Sequence, residues 1–409
     1  MKEFFKVKNQ NEIFEYISNF NSLEIEIIFI TDSYDRILCE DILSDIDLPD
    51  FARSTMDGYA VKASSTYGAS EGSPAYFNIK GRISMGSSPD FTIQAGEAAK
   101  IATGGMLPKG ADSVVMIEHT DILDETTIEC FKSGAPYQHV IQKGEDYKKG
   151  NIIISSGTKI RAQEAGLLAA FGKDKIKVFK KPIVGIISTG DEIVDINSPV
   201  TMGKVRDINS YTLAGLIKKA GGAPLLYGII KDDYDALFEA CKKGVSETDM
   251  LILSGGSSVG TRDYTIEVLS SLKNSKILAH GISISPGKPT ILAEVMGKSV
   301  WGLPGHAVSA MVVFEVIVKP FLKRISGLKK YQDNIISKAY LTRNIASAQG
   351  RVDFVRVKLK KDNKNNILAT PILGKSGLIN TMVKADAFIK IEKNTEGLTK
   401  DETVEVYYF

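Results

Sequence analysis

Between Pro182 and Arg324 the chain alternates short strand-like runs with helical stretches, and few folds accommodate that alternation. The strand-like runs are 183–188, 225–230, 250–253, 276–285, 291–295 and 299–303. Helical patterns fall between them, from Asn209 or Ser210 to Gly221-Gly222, then over 232–243, 264–272 and 308–324. A run such as IVGIIS has no charge to turn toward water, as suits a strand buried on both faces of a parallel sheet. The repeat therefore predicts a central doubly wound, three-layer α/β domain. Ligands on such folds bind beyond the carboxyl ends of the strands.

The residues following each run are Thr189-Gly190-Asp191-Glu192, Asp232-Asp233, Ser254 to Asp263, Pro286-Gly287-Lys288-Pro289 and Pro304-Gly305-His306. All are polar, acidic or glycine-rich. In DMLILSGGSSVGTRD (249–263), a strand, a glycine-rich turn and a helix start follow one another, an arrangement suited to an anion because N–H groups at the helix start point at the ligand. Asp263 would repel that anion unless a metal lay between them. Each acid taken singly also reads as a helix cap. Gathered on one edge with glycine loops and Lys288, they predict a site for a phosphorylated ligand with a divalent cation.

Upstream, Ile13, Phe14, Ile17 and Phe20 have helical spacing, and 36–42 reads as a strand. Strand-like pieces at 77–80, 98–103, 113–117 and 127–131, punctuated by glycine, predict a small β module. Within it lie the turn signals Asp57-Gly58 and Thr103-Gly104-Gly105, and Gly144-Glu145-Asp146 follows. A helix is expected over 162–171. Beyond Gly327, runs at 339–342, 354–359, 367–371 and 388–391 with alternation in DFVRVKLK predict a C-terminal β-barrel. There Arg351, Arg356, Lys375 and Ser376 either face a ligand or belong to a solvated barrel surface.

Composition narrows the function classes. The chain has 409 residues, 43% hydrophobic and 24% charged, with a net charge of +2, so a nucleic-acid or membrane-surface binder is not expected. Its three cysteines, Cys39, Cys130 and Cys241, form no CxxC pair. No apolar run reaches membrane-spanning length, and a reduced, cytoplasmic setting is expected.

With these motifs collected, the chain resembles the molybdopterin molybdenumtransferase family, to which the E domain of gephyrin belongs. The resemblance rests on Ser54-Thr-Met-Asp-Gly-Tyr-Ala60, Thr103-Gly-Gly, Gly144-Glu-Asp146, Ser188-Thr-Gly-Asp-Glu192, Ser254-Gly-Gly-Ser-Ser-Val-Gly260, Pro286-Gly-Lys-Pro289 and Gly302-Leu-Pro-Gly305. It implies insertion of molybdate into adenylylated molybdopterin with release of AMP, dependence on Mg²⁺, and an elongated homodimer whose active sites are shared between subunits. Transient contact with the pterin adenylyltransferase and with cofactor-accepting enzymes is implied as well. The implied division is a discontinuous mixed domain (1–47 with 140–181), an inserted β module (48–139), the α/β molybdopterin-binding domain (182–326) and the C-terminal β-barrel (327–409).

Carried over motif by motif, the resemblance implies catalytic roles for Asp57, Thr103, Asp146, Glu192, Asp232 and Asp263, with Glu192, Asp232 and Asp263 as metal ligands. Thr189, Gly190 and the loop Ser254, Gly255, Gly256, Ser257 and Ser258 would receive the pterin phosphate. Lys288 would hold molybdate or phosphate, Ser309, Arg351 and Ser376 would line the oxyanion pocket, and Pro304 would also bind substrate. The chain departs from the family at Ser285, where a lysine is frequent, and at Pro304-Gly-His-Ala-Val-Ser309, where the family often reads Pro-Gly-Asn-Pro-Val-Ser. His306 is either a donor to substrate or a helix cap, and the cap is the reading adopted. A pterin adenylyltransferase would explain 183–325 equally well but has no counterpart of Asp57 and Thr103. A non-enzymatic scaffold or an oxyanion sensor would have no need of the full set of acids.

Overall fold

The computed structural model describes residues 7–255, 264–329 and 335–409. The chain forms two compact units, one of Met1–Glu40, Ser156–Ala165 and Asp174–Phe409, the other of Asp41–Ser155 and Gly166–Lys173.

The first unit is built on a six-stranded sheet in the order Ala223–Ile230, Ile183–Thr189, Met250–Ser254, Lys298–Leu303, Ile291–Val295, Ser275–His280. The first four strands are parallel and the last two antiparallel, so the parallel carboxyl ends share one edge. Side chains alternate across the sheet: Met250 and Ile252 enter one apolar core, Leu251 and Leu253 the other. Helices Asn209–Lys219, Ala307–Val313 and Lys319–Ile325 cover the first face, and Tyr234–Glu247 and Thr265–Ser271 the second. This is the doubly wound, three-layer domain expected from the alternation. Midway between the helices Ala307–Val313 and Lys319–Ile325, the π turn Phe314–Val318 precedes Pro320, whose ring clashes with the carbonyl four residues back in a regular helix.

The N-terminal helix Gln10–Glu15 opens with a capping box of Asn9 and Glu12 and tightens into a 3₁₀ turn at Tyr16–Asn19. Ile13 and Phe20 reach the same core as Trp301 and Phe321. The expected strand over 36–42 is a correction. Ile37 bridges Lys159 and Leu38 bridges Val178, so two different segments take its hydrogen bonds and no ladder forms. Regular pairing begins at Ile42–Leu43, within the second unit.

The run 276–285 also breaks, and this break positions the site. Ser275–His280 stays in the sheet, whereas Ile284–Ser285 leaves it and pairs in parallel with Val352 and Asp353. Its partner, Val352–Lys361, belongs to a closed five-stranded barrel that continues through Ile367–Pro371, Ile335–Leu341, Thr403–Tyr408 and Ala387–Ile391 back to itself. Closure leaves no bare sheet edge, and Leu341, Val357, Ile389 and Val406 fill the interior.

The second unit carries a six-stranded sheet in the order Ser113–Met116, Gly58–Val61, Glu97–Ile101, Ala75–Arg82, Thr127–Cys130, Thr120–Ile122. Tyr59 and Val61 pack with Phe77 and Ile128 on one side, and Ala60 packs with Ile101 and Val114 on the other. Period-2 alternation in a four-residue strand thus supplies two small cores.

Candidate functional site

The carboxyl edge of the parallel strands is knitted from backbone and small polar groups. Gly255 has φ +102° and its N–H donates to the Leu303 carbonyl at 3.2 Å. A Cβ there would lie 2.0 Å from the Thr189 carbonyl oxygen, so only glycine lets the strands ending at Thr189 and Ser254 approach this closely. Asn209, buried at the first turn of its helix, donates through Nδ2 to Ser254 Oγ at 2.6 Å and to the Gly305 carbonyl at 2.8 Å. Asn209 therefore ties two strand ends together and does not cap its own helix. The carboxylate of Asp207 caps there instead, accepting from the Ser210 N–H at 3.0 Å. Buried beside them, Thr189 Oγ1 and Asn209 Oδ1 have no hydrogen-bond partner among the described residues.

Two predicted acids follow neighbouring strands. Glu192 is exposed, and its carboxylate oxygens would lie 2.9–3.0 Å from a Cβ at Gly190, a second position that only glycine fills without displacing it. Asp232 is half-buried, while its neighbour Asp233 caps the next helix through the Ala236 N–H at 3.0 Å. Asp263, Gly256, Ser257 and Ser258 lie outside the described residues. Among the described residues no three histidine, cysteine, aspartate or glutamate side chains gather as metal ligands.

Pro304-Gly305-His306 joins this edge to a cavity of about 450 Å³. The structure brings Lys288, Pro304, Ser309, Arg351 and Ser376 onto its wall, from four separate segments. The parallel pairing of Ser285 with Asp353 sets the Pro286–Pro289 loop beside the barrel strand. Gly287 (φ +121°) holds the loop against Val313, leaving no room for a Cβ, and Thr290 Oγ1 donates to its carbonyl at 2.6 Å. The Lys288 carbonyl accepts from the Ile282 N–H at 2.9 Å, while its ammonium has no hydrogen-bond or ion-pair partner among the described residues. Arg351 Nε lies 2.9 Å from Asp353 Oδ1, and Ser347 Oγ donates to Asp353 Oδ2 at 2.8 Å.

Arg356 is the residue the motif comparison did not assign. It is 6% exposed and faces the same cavity. Its Nη2 donates to the Gly374 carbonyl at 3.0 Å, while its Nε has no partner among the described residues. Burial pushes the guanidinium below its ordinary value. The sequence reading left Arg356 between facing a ligand and lying on a solvated barrel surface, and the structure places it on the cavity wall. The lining thus carries three cations, Lys288, Arg351 and Arg356, against the single carboxylate of Asp353. A surplus of two positive charges in a cleft suits a small dianion.

His306 corrects the cap reading. It occupies the N-cap position but makes no side-chain cap hydrogen bond; its Nδ1 lies 2.8 Å from Ser376 Oγ. The folded barrel places an acceptor–donor hydroxyl closer to the ring than the helix's own N–H groups.

In the second unit Asp57 Oδ1 accepts from the Thr103 N–H at 2.7 Å and from its hydroxyl at 3.0 Å. Those two donors hold the Asp57 carboxyl below the usual aspartate value. Asp146 is exposed, and its N–H donates to the Leu48 carbonyl at 3.1 Å. The thiols are protonated: burial pushes Cys241 up to about 12 and raises Cys130 and Cys39. None of the three is a ready thiolate nucleophile.

Comparison with known proteins accounts for the chain from end to end. Family models described as the MoeA N-terminal region (domains I and II), a probable molybdopterin-binding domain and the MoeA C-terminal region (domain IV) match residues 7–172, 185–324 and 338–409. A molybdopterin molybdenumtransferase of Bacillus subtilis is 33% identical over 387 residues, covering 94% of this chain and 89% of the relative. Two solved structures of molybdopterin biosynthesis moeA protein from Pyrococcus horikoshii superpose with TM-scores of 0.80 and 0.85. They are 38% and 30% identical, and the alignments cover 98% and 99% of this chain and 99% and 100% of theirs. With three family regions in order, relatives aligned over nearly the whole length and the same architecture, the chain belongs to the molybdopterin molybdenumtransferase family.

Proposed function

We propose that this protein is a molybdopterin molybdenumtransferase that inserts molybdate into adenylylated molybdopterin and releases AMP, and that the 450 Å³ cavity is where the oxyanion binds. The observation that carries the site is Arg356, a buried guanidinium facing the cavity with no carboxylate partner among the described residues. Burying a charge without a counter-ion is costly, and a dianionic ligand is the counter-ion that relieves it. Molybdate bears two negative charges, matching the surplus on the wall. The Ser309 and Ser376 hydroxyls can donate to its remaining oxygens.

The reaction's difficulty is electrostatic, because molybdate and a diphosphate-linked dithiolene repel each other. Lys288 and Arg356 offset the charge of the oxyanion. The edge formed by Thr189, Gly190, Ser254 and Gly255 receives the pterin phosphate, with Gly256, Ser257 and Ser258 completing that loop. Since Pro304-Gly305-His306 is common to edge and cavity, the dithiolene end of a pterin on the edge can reach the oxyanion. No protein thiol is activated, so the sulfur ligands of the metal come from the substrate.

Mg²⁺ held by Glu192, Asp232 and Asp263 belongs to the same reading and would polarise the phosphoanhydride. The described residues do not assemble such a site, and Asp263 lies outside them, so every step above is assigned to the protein's own groups. The same reading includes the division into 1–47 with 140–181, 48–139, 182–326 and 327–409, transient contact with the adenylyltransferase and a cytoplasmic location. No helix of the described residues is long and apolar enough to cross a membrane.

The homodimer is likewise part of the proposal, with Asp57, Thr103 and Asp146 of one subunit completing the site on the other. Mixing inactive Asp57→Ala and Asp263→Ala proteins should restore activity to roughly a quarter of sites on statistical exchange. Mixed dimers without activity would place each site within one chain. The assay for the function itself supplies purified protein with adenylylated molybdopterin, Mg²⁺ and molybdate and follows AMP. Molybdate-dependent release that Lys288→Ala loses is expected; an absence of molybdate-dependent AMP from the intact protein would refute the activity.

A further inference from the structure

We propose that His306 makes oxyanion binding in this cavity proton-dependent, switching Ser376 between a hydrogen bond to the imidazole and one to the bound anion. The inference rests on the oxyanion reading of the cavity. Its basis is specific to this chain: the motif that often carries asparagine reads Pro304-Gly-His-Ala-Val-Ser309 here, and the imidazole lines the cavity 2.8 Å from Ser376 Oγ, which lines it too.

The chemistry follows from the donors available. Ser376 has one hydroxyl proton. When the imidazole is neutral with Nδ1 bare, that proton is donated to Nδ1 and only the lone pairs of Oγ face the cavity. Protonating the ring from solvent reverses the bond. Nδ1–H then donates to Ser376 Oγ, and the hydroxyl proton is free to donate to an anion. The same event adds a positive charge to a wall that already carries a surplus of two. Both changes favour a bound dianion, so affinity should rise as pH falls through the range in which histidine titrates. By linkage, a bound anion should also draw the proton onto His306.

Other charged groups stand on the elements that form the cavity wall. They are Lys288 on the Pro286–Pro289 loop, Arg351, Asp353 and Arg356 on the barrel strand, and Lys375 beside Ser376. Asparagine at 306 could donate one hydrogen bond to Ser376 permanently, with no dependence on pH.

The test measures molybdate and sulfate affinity by calorimetry between pH 5.5 and 8 for the intact protein and His306→Asn. Sulfate keeps its charge throughout and controls for protonation of the ligand. The intact protein should bind both anions about tenfold more tightly at pH 5.5 than at pH 8, the effect of one added charge about 6 Å from a dianion at the dielectric of water. His306→Asn should be flat with pH. The His306 ring resonances should titrate at higher pH with molybdate bound, a shift that a purely structural histidine would not make. Equal pH dependence in the two proteins, or none in the intact protein, overturns the inference while leaving the cavity as the oxyanion site. Lys288→Ala separates the two failures. If it keeps full affinity at pH 8, the cavity is not the anion site and the inference falls with that reading.

Discussion

Replacing Arg356 by methionine should stabilise the anion-free protein while destroying its affinity for molybdate. The guanidinium is 6% exposed, makes one hydrogen bond of 3.0 Å to the Gly374 carbonyl and leaves Nε without a partner. Asp353, the carboxylate in the same cavity, is already engaged by Arg351 and Ser347. Desolvating an ion costs several kcal/mol, and well-packed apolar replacements of poorly compensated buried charges gain about 1–4 kcal/mol. Subtracting about 1 kcal/mol for the lost hydrogen bond leaves a net gain of about 0–3 kcal/mol for the empty protein. Removing a buried cation from a charged ligand costs about 2–5 kcal/mol, so molybdate should bind about 30-fold to several thousand-fold more weakly. Denaturant unfolding in anion-free buffer measures the first effect and molybdate calorimetry the second. A variant destabilised by more than about 2 kcal/mol that still binds molybdate within threefold would assign the guanidinium a purely structural role and refute the argument.

Gly255→Ala should cost about 3 kcal/mol or more in thermal or denaturant stability, since its Cβ would sit 2.0 Å from the Thr189 carbonyl at φ +102°. A loss under about 0.5 kcal/mol would mean that the strand edge adjusts freely. Asn209→Ala removes the bonds to Ser254 Oγ and the Gly305 carbonyl and should cost about 2–4 kcal/mol, read from denaturant midpoints. Thr103→Val keeps the backbone donor to Asp57 but deletes the hydroxyl, so the Asp57 carboxyl should titrate at higher pH, as followed by carbon NMR. Because the folded value lies below the unfolded one, this interaction stabilises above the ordinary aspartate value and is lost as pH falls through the depressed one. An unmoved titration would assign the depression to the N–H alone.

Local periodicity was enough to reveal the α/β architecture. Runs such as IVGIIS and MLILS leave no charge for a solvent face, and six strand-like runs, four of them uncharged, interleaved with helices permit little besides a doubly wound sheet. The strand-end rule then located Thr189, Gly190, Glu192, Asp232, Ser254, Gly255 and Pro304, because where a parallel strand ends is a local property. The barrel residues were harder. DFVRVKLK announces a strand but not which face meets a ligand, so Arg356 and its neighbours were legible only as alternatives.

What the tertiary structure alone decided are the contacts made across long stretches of chain. Ile284–Ser285 reads as part of the strand before it, yet it crosses to the barrel and pairs with Val352 and Asp353, carrying Lys288 into the cavity. Asn209 has the sequence of a helix cap, but Ser254 Oγ, 45 residues away, lies within its reach, and Asp207 does the capping. His306 likewise reads as a cap until Ser376, 70 residues away, arrives beside its ring. Helix and strand follow from neighbours three or four residues apart and from the period of apolar side chains, which the sequence displays directly. The partner of a polar side chain depends on which distant groups folding brings within about 3 Å, and no local pattern encodes that.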